Sequence, residues 1–104
     1  MRVEIYQITK PDEFLRRWAL NYENTMKCAG KIDRKIYSKV YAGEVDCKSL
    51  EGLFYRFNLW VKPEGYIGTS LTVSDVVRVI ESETVLKGYY FVDSVGFREI
   101  DFEC

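Results

Sequence analysis

Without a single histidine in its 104 residues, this chain lacks the commonest general base and the commonest metal ligand. Ser-His-Asp and Cys-His nucleophile systems are therefore excluded. The acids Asp75, Glu81, Glu83, Asp93, Glu99 and Asp101 remain, but their spacing matches no acid–base pair, and solvated carboxylates on strand edges and turns account for them. Cys28, Cys47 and Cys104 form no C-x-x-C pair; reduced thiols are expected, without zinc or thioredoxin-type chemistry. Gly65-Tyr66-Ile67-Gly68-Thr69-Ser70 has two of the glycines of a phosphate loop but no G-x-x-x-x-G-K-[ST], and it follows a predicted helix and not a strand. No catalytic residue, metal site or cofactor is thus expected, and a carboxylate-dependent enzyme is the weakest functional reading.

Two segments have spacing suited to binding. Residues 27–39 hold Lys27, Lys31, Arg34, Lys35 and Lys39 against Asp33 alone, and Tyr37 and Tyr41 interleave with the last of them. Such a segment could follow a phosphate backbone and stack a base; it equally suits a solvated, self-protecting strand edge. Residues 70–77, Ser-Leu-Thr-Val-Ser-Asp-Val-Val, place short polar side chains before a buried strand, where they can bond nearby backbone N–H groups and fix a tight turn. Ordered loops also carry binding functions. Residues 75–103 contain seven acids and three bases, opposite in bias to residues 27–39, so the chain is electrically polar along its length.

The elements that position these segments follow from periodicity. A net charge of -1 argues against both a general phosphate binder and a DNA mimic, while 15% aromatic residues argue against disorder. The length suits one domain, residues 1–104. Arg2, Glu4 and Lys10 interrupt any signal-peptide core, and no run reaches the roughly 18 apolar residues of a membrane span; a cytoplasmic location is expected. Residues 2–8 alternate as a strand. Pro11, Asp12 and Glu13 start a helix whose stripe is Phe14, Leu15, Trp18, Ala19 and Tyr22, fading between Asn21 and Thr25. Residues 26–34 read as a loop, and 35–44 as a strand that shows Tyr37 and Tyr41 together. Asp46 or Ser49 caps a second helix with Leu50, Leu53, Phe54 and Phe57 inward, ended by Pro63 and Gly65. Residues 62–72 are irregular, and strands at 76–80, 89–93 and 97–102 form a meander.

The expected fold is α+β: a mainly antiparallel sheet of about four to five strands with two helices packed on one face. Phe14, Trp18, Leu50, Leu53, Phe54, Phe57, Val77, Val79 and Phe91 supply much of its core. The other face is expected to expose Tyr37 and Tyr41.

The helix ending Phe57-Asn58, then Pro63, Tyr66, Gly68 and the 70–77 stretch, resembles the YodL-like domain family. Tyr89-Tyr90-Phe91-Val92-Asp93-Ser94-Val95-Gly96-Phe97 is similar to that family's closing pattern; Thr72 stands where serine is expected, with the short hydroxyl kept. The resemblance spans nearly the whole chain. It implies a small bacterial module linked to conjugative elements and phages, without established catalysis or cofactor. The leading expectation is a non-catalytic interaction module for another protein, with Asn58, Tyr66, Gly68, Ser70, Ser74 and Asp75 as the candidate loop. Nucleic-acid binding through Lys27, Lys31, Arg34, Lys35, Tyr37, Lys39 and Tyr41 is the alternative. The partner and the oligomeric state stay open.

Overall fold

The structure, a computed structural model, describes residues 1–9, 19–59 and 61–102. Five strands form one antiparallel sheet in the order β2-β1-β3-β4-β5. They are β1 (Arg2–Ile8), β2 (Tyr37–Glu44), β3 (Val76–Glu81), β4 (Gly88–Val92) and β5 (Phe97–Ile100). Strand β1 lies second in the sheet and is buried on both faces from Ile5 to Ile8, which is why its outer half reads apolar beyond simple alternation. Among the described residues no helix is long and apolar enough to cross a membrane.

Helix α1 (Tyr22–Ala29) begins where the expected first helix was to fade. Its N-cap is Asn21, whose side chain accepts from the Asn24 N–H at 2.8 Å, and Gly30 closes it at φ 75 with its N–H on the Met26 carbonyl. Residues 26–29 are therefore helical and not loop. The body of the expected helix, with Phe14 and Trp18, falls on residues 10–18, outside the described residues. Helix α2 (Leu50–Phe57) is capped by Ser49, which accepts from the Gly52 N–H at 2.9 Å. It stops at Asn58, not near Pro63, because the Asn58 N–H turns back to the Tyr55 carbonyl.

The sheet has a core on each face. On one, Leu50, Leu53 and Phe57 of α2 pack on Val3, Ile5, Tyr41, Val77 and Val79, with half-buried Phe54 beside them. Each fully buried side chain of this kind contributes about 1.5–3 kcal/mol. On the other, Tyr22 and Met26 of α1 join Tyr6, Ile32, Val76, Phe91 and Phe102. Strand alternation requires the split: Val76 and Phe91 belong to one cluster, Val77 and Tyr90 to the other. The two described helices thus lie on opposite faces, and two helices packed on one face are not observed among the described residues.

A bulge in β2 corrects the reading of its tyrosines. Ile5 pairs with Tyr41 but Tyr6 pairs with Lys39, leaving Val40 as an extra residue. The face assignment flips there. Tyr41 points into the α2 core and is buried, while Tyr37 meets Phe102 on the α1 side. They do not share an exposed face.

Candidate functional site

The rows that line the α2 face end in polar residues at one end of the sheet. Val3, Ile5 and Gln7 form one row; Val79, Val77 and Asp75 continue its neighbour. Gln7 and Asp75 are both buried, Asp75 to 2% exposure. They close on each other: Gln7 Nε2 donates to Asp75 Oδ2 at 3.0 Å.

The connection between α2 and β3 wraps around this pair. Gln7 Nε2 also lies 3.0 Å from the Thr69 carbonyl oxygen and 3.1 Å from the Tyr66 hydroxyl, and Gln7 Oε1 accepts from the Thr69 N–H at 3.0 Å. Asp75 Oδ2 accepts a second bond from the Thr72 N–H at 2.9 Å. The Tyr66 hydroxyl donates to the Thr69 carbonyl, and its ring packs edge-on against Phe57 and Tyr41. Gly68 sits so close that a Cβ there would come within 2.9 Å of Val40 Cγ2 and overlap Gln7 Oε1. Only glycine lets the loop seat on β1 and the β2 bulge. The Ile67 N–H donates to the Val40 carbonyl, covering that part of the β2 edge.

The remaining candidate loop residues are anchors as well. Asn58 Nδ2 donates to the Leu71 carbonyl at 3.1 Å. Ser70 Oγ accepts from Lys62 Nζ, which also caps the Leu59 carbonyl. Ser74 takes φ 87, rare for a side-chain-bearing residue; its Oγ accepts from the Ala19 N–H and its carbonyl from the Tyr37 hydroxyl at 2.6 Å. The structure therefore gathers Tyr66, Gly68 and Asp75 around Gln7 and ties Asn58, Ser70 and Ser74 to neighbouring parts of the same fold. The outward side chains of this region are others. Tyr55 is 69% exposed, Val61 72% and Ile67 80%, with Leu59 also exposed.

The electrostatics follow from burial. Removal from water pushes the Asp75 carboxyl up to about 7, against the pull of the Thr72 N–H and Gln7 amide bonds. The Tyr66 hydroxyl is raised too, by burial first and then by the Asp75 charge. A carboxyl so perturbed is a chemical candidate, yet its bonding partners are an amide and a backbone N–H, not a second acid. Among the described residues no group of three or more Cys, Asp or Glu is placed to hold a metal ion. Cys28 and Cys47 are free thiols; Cys104 lies outside the described residues.

The basic segment disperses. Lys27 pairs with Glu23 on α1 at 3.1 Å. Arg34 lies over the rings of Tyr6 and Phe102, 5.5 Å from each centroid. Lys39 and Arg78 both reach Glu4, at 3.3 and 3.1 Å. Lys31 and Lys35 are exposed. Tyr41 is in the core, so the paired aromatic platform is not assembled.

Sequence reasoning missed Gln7, the centre of the inner cluster. Its signal was present: a polar residue in the Val3–Ile5 row of an otherwise apolar strand. It also missed Glu4 and Arg78, whose pairing depends on the β1–β3 register.

No curated protein and no solved structure matches the chain. A family model, the YodL-like domain, matches residues 2–102, a span that takes in both polar clusters and the wrapped connection between α2 and β3.

Proposed function

Because the chain belongs to the YodL-like domain family, we propose that it is a non-catalytic interaction module that docks another protein through residues 55–67. What supports this reading is the contrast within one segment: polar anchors turned in, apolar side chains turned out. Four of the six large hydrophobics exposed among the described residues are Tyr55, Leu59, Val61 and Ile67. Scattered exposed apolar residues need no explanation, whereas a contiguous apolar patch marks a contact surface, and on this reading these four side chains form one such patch. The anchoring matters energetically, because a loop already held by Gln7, Asn58 and Lys62 loses little entropy on binding. The family resemblance supports a partner encoded by a bacterial mobile genetic element.

The test is a photo-crosslinking amino acid placed singly at Val61, Ile67 or Leu86 in cells carrying such an element. Leu86 is equally exposed, at 80%, and controls for indiscriminate stickiness. Discrete adducts at Val61 and Ile67 but not at Leu86 are expected. Equal labelling at all three, or none, would remove the reading.

A further inference from the structure

The outer edge of β5 has the features of a built receptor for an extended peptide. Among the described residues β5 ends the sheet. The Val92 N–H and carbonyl bond to Asp75 and Ser74, on the β3 side, so Phe91 and Tyr89 are the β4 residues bonded to β5. Their partners Arg98 and Ile100 turn their backbone groups inward. Phe97 and Glu99 therefore direct theirs outward, in the alternation of an antiparallel ladder.

A cavity flanks this edge on each face. On the α2 face, about 280 Å³ is lined by Phe54, Val73, Val92 and Phe97, with Glu51 and Asp93 at its border. On the α1 face, about 540 Å³ lies between Glu99, Ile100 and Asp101 and the opposing Tyr22, Met26 and Lys31. Phe97 and Ile100 are three residues apart, roughly 10 Å along a strand, and face opposite sides. A guest strand paired to β5 has the same property: its residues i and i+3 point to opposite faces at that separation. Glu51 and Asp93 line the first cavity and Asp101 the second, against Lys31, and the Glu99 carboxylate lies on the α2 face of the same strand, beside Gly88 and Tyr90.

We propose that β5 accepts an extended peptide segment of a partner as a sixth strand. Its backbone pairs with Phe97 and Glu99, two apolar side chains three residues apart enter the two cavities, and lysine or arginine side chains answer the acidic border. This is strand addition, in which main-chain bonds give affinity and alternate pockets give specificity. The site is separate from residues 55–67.

The test selects a randomised decapeptide display library against the whole chain, then maps amide hydrogen exchange with the enriched peptides bound. Enrichment of basic sequences with apolar residues at i and i+3 is expected, with exchange at Phe97 and Glu99 slowed by about tenfold or more. Glu99→Lys should weaken binding about tenfold. Glu99→Pro, which deletes an outward donor and no β4 bond, should abolish it while thermal unfolding stays near wild type. A library without enrichment, or peptides that leave exchange at Phe97 and Glu99 unchanged, would overturn the assignment. Peptides mapping to residues 55–67 would also overturn it and leave the reading above intact.

Discussion

Strand β1 carries a polar cluster on each face, and the two treat a carboxylate in opposite ways. On the α2 face, Asp75 is sealed from water and bonded by neutral groups, the Gln7 amide and the Thr72 N–H. Its carboxyl rises to about 7 because burial outweighs those bonds. On the α1 face, Glu4 keeps some exposure and accepts from Tyr6 at 2.8 Å, Arg78 and Lys39. Burial also acts to raise Glu4, but the bonds from Tyr6, Arg78 and Lys39 outweigh it and hold the carboxyl below its ordinary value. The difference lies in what surrounds each acid. Neutral donors in a dry site hold a loop in place and tolerate a charge poorly; cations at a wet surface favour the charge but add little stability.

The sharpest way to break this contrast is to remove the centre of the inner cluster. Gln7→Ala leaves the Asp75 carboxyl and the Thr69 N–H without their buried partner, and is expected to cost about 3 kcal/mol or more in urea unfolding. Gly68→Ala attacks the same seat from the loop side. Its Cβ must displace Val40 and the Gln7 amide, for an expected loss of about 2–3 kcal/mol. If either variant unfolds within about 0.5 kcal/mol of wild type, the loop is not held as described.

How much of this was legible depends on the range of the interaction. Strand β1, helix α2 and the β3–β5 meander are visible in local periodicity, and Ser49 marks its own cap. Helix α1 was obscured because Glu23, Asn24 and Lys27 dilute its stripe; its clearest marks were the boundary residues Asn21 and Gly30. The Val40 bulge left no local trace, although it sends Tyr37 and Tyr41 to opposite faces. In the candidate loop, Gly68 and Asp75 were legible as special positions. Their purpose was not, since the Gln7 amide lies more than 60 positions away along the chain from Thr69 and Asp75.

Protonation sharpens the comparison further. An Asp75 carboxyl raised from 3.8 to about 7 on folding means that the folded chain keeps a proton the unfolded chain releases. Stability must then fall as pH rises from about 4 to about 7 and level off above, with about 4 kcal/mol as the upper bound. Asp75→Asn resembles the protonated acid and still accepts from Thr72 and Gln7. It is expected to flatten that slope and to exceed wild type by about 1–3 kcal/mol at pH 8. Urea midpoints measured from pH 4 to pH 8 check this. An unchanged slope in the variant would assign the pH dependence to another group.

The outer cluster should show a smaller effect of opposite sign. A carboxyl held below its ordinary value of 4.5 contributes stability above that value and loses it as pH falls through the folded value. The side chains of Lys39 and Arg78 are 50% and 42% exposed, so solvent screens most of the attraction. Glu4→Gln is therefore expected to cost below about 1 kcal/mol at pH 7. That cost should shrink in about 1 M salt, where charges are screened beyond roughly 3 Å, and fade as pH falls through the lowered folded value. The Tyr6 hydroxyl can still donate to the glutamine oxygen, and Arg34 keeps its place over the Tyr6 and Phe102 rings, so the surrounding packing is not at stake. A cost above about 2 kcal/mol that persists in salt would mean that Glu4 is as structurally committed as Asp75, and the two faces of β1 would no longer differ in kind.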